Sequence, residues 1–222
     1  PVPLAEVAFS SPSTSFDTDR LWQDIQPIFI PETALVQGKA NDAKDSSGSF
    51  RLATDAKYLY VEVDVQDEQV VSNIAPNDIR GHWRSDAVEI CIDPSGTSEH
   101  TLTCFKVGIF PFDQAGKVRA ARDADALQGA IEETAPGMQL VSLRTPEGYR
   151  LRTAIPWSEI GLNKALNGQE IGFNILIYDG DKADAATGEN INECRLAWAP
   201  RRGVQGRPED WGRIRLPMAD SP

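Results

Sequence analysis

Short segments that alternate between apolar and polar residues, separated by turn signals, run through most of the chain. The clearest is Lys57–Val65 (KYLYVEVDV), in which Leu59, Val61, Val63 and Val65 share one side of an extended backbone. This period of two is typical of a half-buried β-strand. About ten such segments occur, with turns roughly every ten residues. The pattern predicts an all-β protein: a two-sheet antiparallel β-sandwich, jelly-roll-like, with one or two short helices.

The strand pattern forms one uninterrupted block, with little sequence outside it. Residues 1–15 are rich in Pro and Ser without periodicity, which predicts an extended N-terminal lead-in. Residues 16–216 contain no linker and no internal repeat, so they are predicted to form a single domain. Within it, helical turns are expected at residues 16–25 and after Pro156. Residues 217–222 are predicted to be a tail.

Charge and hydropathy exclude several classes of partner. The 222 residues carry a net charge of −11, whereas a nucleic-acid-binding surface must be basic, so no nucleic acid and no anionic membrane surface is expected as a partner. No apolar run approaches the roughly 20 residues of a membrane span. No signal peptide is visible, which fits either a mature exported chain or a cytosolic one. We expect a monomer.

One stretch combines an aromatic residue with a carboxylate. In Gly81–Asp93 (GHWRSDAVEICID), Trp83 precedes a predicted strand and Glu89 lies on its polar side. A flat ring beside a carboxylate suits a sugar, which has apolar C–H faces and hydroxyl edges. The alternative is a core tryptophan and a glutamate on a solvated face. The return strand, Thr101–Phe110, would bring Lys106 near Glu89, where a simple cross-strand ion pair is the other interpretation.

The cysteines allow one cross-link. The chain has Cys91, Cys104 and Cys194, whose spacing matches neither a zinc site nor a disulfide scaffold. Pairing about the turn at residues 94–99 would place Cys91 opposite Cys104, so a disulfide between them is one hypothesis. Buried free thiols are the alternative.

Basic residues cluster late in this acidic chain. They are Arg201, Arg202 and Arg207, to which His82, Arg84 and Lys106 would add if the loops meet. Arginine forks bind carboxylates well, so such a patch would favour an acidic sugar. A solvated loop is the alternative interpretation.

The order of several segments is similar to that of a known family. The segments are FDTDRLW, KYLYVEVDVQD, WRSDAVEICID, YRLRTAIPWSEIG, IGFNILIYDGD, LAWAP and WGRIRL, spread over residues 16–216. Together they resemble carbohydrate-binding module family 9, of the DOMON-like β-sandwich domains. The resemblance implies a non-catalytic domain that binds a mono- or oligosaccharide, serves polysaccharide catabolism beside a glycoside hydrolase, and is secreted or periplasmic.

The resemblance also implies roles for single residues. Trp83 matches an aromatic plate, Glu89 a sugar-binding carboxylate and Lys106 a cationic donor, while Gln205 falls where a second plate is expected. The candidate ligand-binding residues are Trp83, Arg84, Glu89, Lys106 and Gln205. Gly108 and Leu176 stand at positions where the resemblance implies amide side chains.

Structural calcium is a further implication of the resemblance. Calcium takes six to eight oxygen ligands, often from clustered carboxylates. The candidate ligands are Asp64, Asp67, Asp86, Asp179 and Asp181.

Two other functions remain open from the sequence. The domain could have lost sugar binding and serve as an interaction or structural module. It could also be a carbohydrate-active enzyme, with Glu89 and either Asp86 or Asp93 as a glycosidase pair. Haem binding is not expected, because neither Met138 nor Met218 lies on a predicted strand facing Glu89.

Overall fold

The computed structural model describes residues 1–10, 15–127, 137–162 and 168–218. Its strands are β1 (Leu4–Glu6), β2 (Ala8–Phe9), β3 (Ile28–Ile30), β4 (Leu35–Gly38), β5 (Ser47–Thr54), β6 (Tyr58–Gln66), β7 (Ala87–Asp93), β8 (Phe105–Phe110), β9 (Arg119–Arg122), β10 (Gln139–Thr145), β11 (Gly148–Pro156), β12 (Glu170–Asp179), β13 (Cys194–Ala197) and β14 (Gly212–Arg215). The helices are α1 (Asp19–Trp22), α2 (Trp157–Ile160) and 3₁₀ turns at His82–Arg84, Thr101–Thr103, Val204–Gly206 and Pro208–Asp210. Within these ranges, no helix has the length and apolar character that crossing a membrane requires.

The strands form two sheets. In the first sheet the neighbour order is β1–β14–β12–β7–β8–β9, and β13 and β4 continue from β12. In the second sheet the order is β10–β11–β6–β5–β2, and β3 also pairs with β5. Among the described strands, β1 with β14 and β2 with β5 are parallel, and the remaining pairs are antiparallel. The predicted two-sheet β-sandwich is confirmed.

Alternate residues of both sheets point into a shared core. Val88, Ile90 and Ile92 of β7 are fully buried in one cluster with Val61 and Val63 of β6. Burial of a single side chain of this type contributes about 1.5–3 kcal/mol relative to an exposed one. The alternation seen in the sequence therefore identifies the inner faces of both sheets.

The opposite face of the first sheet is covered by loops. Ile74 comes from the long loop before β7, and Val204 and Trp211 come from the segment between β13 and β14. They form a second apolar cluster with Leu176 and Tyr178 of β12. As a result, β7 is buried along its whole length, and the polar side expected around Glu89 is not solvated.

The N-terminal residues belong to the sandwich. β1 pairs with β14 in the first sheet, and β2 pairs with β5 in the second. The extended lead-in predicted for residues 1–15 thus includes two short strands. Strands of two and three residues are too short for their alternation to be recognised in a sequence.

The disulfide hypothesis is wrong. Cys91, Cys104 and Cys194 are all free and buried. The β7–β8 register pairs Cys91 with Lys106 and Ile92 with Phe105, so Cys104 lies two positions away from the one opposite Cys91. The turn between the strands is longer than the sequence pairing assumed, because residues 101–103 form a 3₁₀ turn before β8 begins.

The outward face of the second sheet carries ion pairs between neighbouring strands. Glu62 Oε1 lies 2.7 Å from Arg51 Nη1, and Glu62 Oε2 lies 2.7 Å from Arg152 Nε. Asp64 Oδ1 lies 2.6 Å from Arg150 Nε. These charges are balanced by one another across β5, β6 and β11.

Candidate functional site

The 3₁₀ turn His82–Arg84 places two aromatic rings at different depths. Trp83 is 44% exposed, whereas His82 is 4% exposed and lies against the covered face of the first sheet. Gly81 precedes the turn with φ of 74°, in the left-handed region that favours glycine. The turn thus presents a large indole to solvent immediately beside a buried imidazole.

Arg84 fixes this turn. Its guanidinium donates to the backbone oxygens of Gly81 (3.2 Å), Arg80 (2.7 Å) and Gly188 (3.1 Å), and it lies 3.0 Å from Asp78 Oδ2. Arg84 was predicted to bind the ligand. In this structure its donors are engaged by these partners, and it stabilises the turn.

Glu89 lies beneath the turn and is 0% exposed. Tyr178 Oη donates to Glu89 Oε2 at 2.5 Å, and His82 Nε2 lies 3.3 Å from the same oxygen. Lys106 Nζ lies 3.1 Å from Glu89 Oε1. Burial alone would raise the pKa of Glu89, but His82, Lys106 and the Tyr178 hydroxyl together hold it below its ordinary value.

Lys106 is shared between three carboxylates. Besides Glu89, its ammonium lies 3.0 Å from Asp123 Oδ2 and 2.9 Å from Asp125 Oδ1. Burial opposes its charge, but the carboxylates, Glu89 first among them, raise the pKa of Lys106 above its ordinary value. One buried cation therefore faces an excess of negative charge.

His82 fills the space next to Gly108. A Cβ atom on Gly108 would come within 2.1 Å of His82 Nδ1, so only glycine leaves room for the ring. The imidazole packs edge-on to Tyr178, with ring centroids 4.9 Å apart, and contacts Trp83 with centroids 5.6 Å apart. Arg195 lies over the other end of this row, 4.4 Å from the Tyr178 ring centre. Gly108 stands where the resemblance implies an amide side chain, and its lack of a side chain leaves room for the His82 ring.

Leu176 and Gln205 do not complete a polar site. Leu176 pairs opposite Glu89 in the β12–β7 register and is fully buried in the apolar cluster. Gln205 lies partly exposed on the 3₁₀ turn Val204–Gly206. Within the described residues, no hydrogen bond or ion pair joins Gln205 to Trp83 or Glu89. Of the predicted ligand residues, the structure therefore joins Glu89 to Lys106, and it connects Trp83 to Glu89 through the intervening ring of His82.

The late arginines are engaged locally. Arg201 Nη1 lies 2.8 Å from Asp210 Oδ1, and Arg207 Nε lies 3.1 Å from Asp210 Oδ2. The charges of these two arginines are compensated within the segment that carries them, whereas Arg202 is exposed.

The carboxylates suggested for a glycosidase pair already accept hydrogen bonds from other groups of the protein. Asp93 accepts hydrogen bonds from Ser95 and Ser98, and Asp86 accepts from the backbone amides of Val71 and Gly180. Asp86, Asp93 and Glu89 are all buried. None of the three is placed to contact a glycosidic bond.

A second cluster of carboxylates lies at the ends of β6 and β12. Oxygens of Asp67, Asp86 and Asp179 lie within 4.8 Å of one another, and so do oxygens of Asp45, Asp179 and Asp181. Burial, followed by the neighbouring carboxylates, raises the pKa of Asp179 to about 8 and that of Asp181 to about 7. Burial raises the pKa of Asp67 to about 6 and that of Asp86 well above its ordinary value.

The donor set fits a hard cation. The side-chain oxygens Asp179 Oδ1 and Asp181 Oδ1 are buried without a hydrogen-bond partner in the described part of the chain. Calcium prefers carboxylate oxygens arranged around one point, and it would relieve the repulsion between these groups.

One carboxylate of the predicted calcium set lies outside the cluster, and one carboxylate of the cluster was not predicted. Asp64 is paired with Arg51 and Arg150 on the outward face of the second sheet, so it lies outside this carboxylate cluster, contrary to the prediction. Asp45 is part of the cluster instead. The β5–β6 pairing of Ser47 with Gln66 brings the residues just before β5, Asp45 among them, close to the residues just after β6, which is the signal that could have identified Asp45.

Comparisons with known proteins agree on one family. A family model described as carbohydrate family 9 binding domain-like matches residues 16–218. Exoglucanase XynX of Acetivibrio thermocellus is 26% identical over 188 residues, covering 85% of this chain and 15% of that protein. Endo-1,4-beta-xylanase A of Thermoanaerobacterium saccharolyticum is 25% identical over 185 residues, covering 83% of this chain and 14% of that protein. The chain thus spans only a small part of the length of these curated relatives.

Solved structures share the whole fold. A family 9 carbohydrate-binding module from Caldicellulosiruptor kristjanssonii, in complex with glucose, has a TM-score of 0.69 and 18% identity, covering 99% of this chain and 98% of that one. The module from the same organism in complex with cellotriose has a TM-score of 0.70, with the same identity and coverage. At this identity the likeness establishes the sandwich fold.

Proposed function

The chain belongs to the carbohydrate family 9 binding domain-like proteins, and on this premise we propose that it is a non-catalytic module that binds a neutral mono- or oligosaccharide at Trp83. The observation that carries the proposal is the exposed indole of Trp83 beside the buried group of Glu89, Lys106 and Tyr178. An aromatic face packs against the C–H face of a sugar, and the polar groups, which are buried, would meet sugar hydroxyls only where the ligand gains access to them.

The charges around the site favour a neutral ligand. Lys106 is surrounded by Glu89, Asp123 and Asp125, so a carboxylate on the sugar would meet more negative than positive charge. Of the late arginines that could have favoured a uronic acid, Arg201 and Arg207 are paired with Asp210. We therefore expect glucose- or xylose-based oligosaccharides to bind better than acidic ones.

Calorimetric titration with cellotriose, xylotriose and glucuronic acid tests the proposal. The expected dissociation constant for the neutral sugars is about millimolar to high micromolar, or roughly −4 to −5.5 kcal/mol. Trp83→Ala should abolish measurable binding. Phe29→Ala is the matched control, because Phe29 is an aromatic side chain that is 70% exposed on the second sheet. Equal binding by wild type and Trp83→Ala would contradict the proposal and would place the site elsewhere or favour an interaction module.

The lack of catalysis is part of the same proposal. It is supported by the burial and internal bonding of Asp86, Asp93 and Glu89, so that the pairs suggested from the sequence are not open to a glycosidic bond. Incubating the protein with each bound sugar and analysing the products by chromatography checks it. We further propose that the module accompanies a secreted or periplasmic enzyme that degrades polysaccharides, since both curated relatives carry the names of such enzymes.

We also propose a structural calcium ion at the cluster of Asp45, Asp67, Asp86, Asp179 and Asp181. The support is the unpartnered buried oxygens of Asp179 and Asp181 and the close approach of the carboxylates. An ion there would join the ends of β6 and β12 to the start of β7. Calcium added to the chelated protein should raise its melting temperature, because a ligand that binds only the folded state stabilises it.

A further inference from the structure

The side chain of His82 occupies the volume through which a ligand would reach Glu89. It lies between Gly108 on the sheet and the exposed Trp83 ring. Its Nε2 is 3.3 Å from Glu89 Oε2, and Glu89 itself has no surface open to solvent. A sugar stacked on Trp83 therefore cannot hydrogen-bond to Glu89 while the imidazole is in this position.

We propose that His82 determines the affinity and specificity of the Trp83 site, because a saccharide reaches Glu89 only by displacing the His82 ring from its place beside Gly108. This inference rests on the proposed function. In the free protein His82 holds Glu89 in position, and on binding the ligand competes with His82 for Glu89.

The surroundings restrict the displacement to the His82 side chain. Arg84 holds the end of the turn through backbone oxygens before and after it in the chain, and its own carbonyl accepts from the amide of Ile191 at 2.8 Å. The backbone is therefore fixed on that side. Rotation of the imidazole away from Tyr178 and Gly108 would expose Glu89 without moving the turn.

With a neutral sugar, the contact that Glu89 loses from His82 can be replaced by a contact from the ligand. When the imidazole leaves, Glu89 Oε2 keeps the hydrogen bond from Tyr178 and gains room for a second donor. A sugar hydroxyl can supply that donor, so one polar contact replaces another and the net change in free energy is small. A ligand without a hydroxyl at that point would leave a buried carboxylate oxygen short of a donor, which is the origin of the expected specificity.

Imidazole NMR observes this directly, because the chain has two histidines, His82 and His100. His100→Gln assigns the His82 signals. In the free protein they should be shifted by the rings of Tyr178 and Trp83. Saturating wild-type protein with cellotriose should move them towards the values of a solvated histidine, whereas cellotriose-free buffer of equal osmolarity should leave them unchanged.

Variants provide the second measurement. His82→Ala should bind cellotriose about three- to tenfold more tightly than wild type, because the binding-competent open state no longer has to be populated first. His100→Ala should bind like wild type. His82→Gln, which keeps a polar side chain, should fall between them.

The outcomes separate this inference from the proposed function. If Trp83→Ala abolishes binding, but His82→Ala binds no more tightly than wild type or the His82 signals do not move, the displacement is wrong and the Trp83 site stands. If Trp83→Ala binds like wild type, the proposed function fails first. The NMR measurement uses the wild-type protein, so it decides the matter even if His82→Ala fails to fold.

Discussion

Lys106 Nζ lies 3.1 Å from Glu89 Oε1, and both side chains are buried between the first sheet and the loops that cover it. Glu89→Gln keeps the shape of the side chain but removes its charge. We expect a loss of about 1.5–3 kcal/mol at pH 7, the range for hydrogen bonds to charged groups, since Asp123 and Asp125 still partner the lysine. Urea unfolding measures it, and Glu209→Gln, at an exposed carboxylate, should change stability by less than about 0.5 kcal/mol.

The same pair predicts a pH dependence of stability. The pKa of Glu89 in the folded protein lies below its ordinary value of 4.5, so the unfolded chain takes up the proton first as pH falls. The stabilisation by Glu89 is therefore complete above that ordinary value and decreases below it. The difference between wild type and Glu89→Gln should stay constant from pH 6 down to about 4.5 and should shrink as pH is lowered further towards 3. A difference that stays constant over this range would contradict the assignment.

Arg152 should be among the most important charges for stability. Its Nε lies 2.7 Å from Glu62 Oε2, both side chains are buried, and its Nη1 donates to the backbone oxygen of Asp17 at 2.6 Å. Arg152→Ala leaves a buried carboxylate without one partner, which typically costs about 3–5 kcal/mol. It also releases the segment before α1, so trypsin should cleave after Arg20 faster. Arg207→Ala, at a side chain that is 57% exposed, is the control and should leave both measurements unchanged.

The strand pattern predicts the fold well, but it does not predict how the covered face is filled. The alternation in Lys57–Val65 identifies the inner face because burial selects every second residue. The position of His82 instead depends on the left-handed conformation of Gly81 and on the pairing of Glu89 with Gly108. Those two features lie far apart in the sequence, and only the register of β7 with β8 brings them together.

Long-range pairing also explains the other differences. Asp64 and Asp67 are close in sequence, yet the strand sends Asp64 to the arginines of the second sheet while Asp67 lies just past the end of β6. Asp45 joins Asp179 across the sandwich, at a sequence separation that no local pattern reveals. The many carboxylates in the sequence predict the chemistry of such a site. Which of them lie together is decided by the topology of the fold.

The cysteines should be inaccessible until the protein unfolds. Cys91, Cys104 and Cys194 are each 0% exposed, and burial raises the pKa of Cys104 to about 11 and that of Cys194 to about 12. A thiol reacts as its thiolate, so Ellman's reagent should modify none of them in the native state and all three in denaturant. Reducing agent should leave the melting temperature unchanged. Finding only one reactive thiol in unreduced, denatured protein would indicate a disulfide and contradict the structure.

Comparing Asp45→Asn with Asp64→Asn tests which carboxylates hold calcium. Both changes replace a charged oxygen by an amide of the same shape, but only Asp45 lies in the cluster with Asp179 and Asp181. In wild type, calcium at 100 times its dissociation constant should add about 2.7 kcal/mol of stability. Asp45→Asn should lose most of that gain. Asp64→Asn should lower stability without calcium, because Arg150 loses the nearest of its carboxylate partners, yet retain the full gain when calcium is added. Melting temperatures of the three proteins, each with chelator and with calcium, give the answer.

An equal calcium response in all three would remove Asp45 from the site, and no response in wild type would mean that the cluster holds no structural ion.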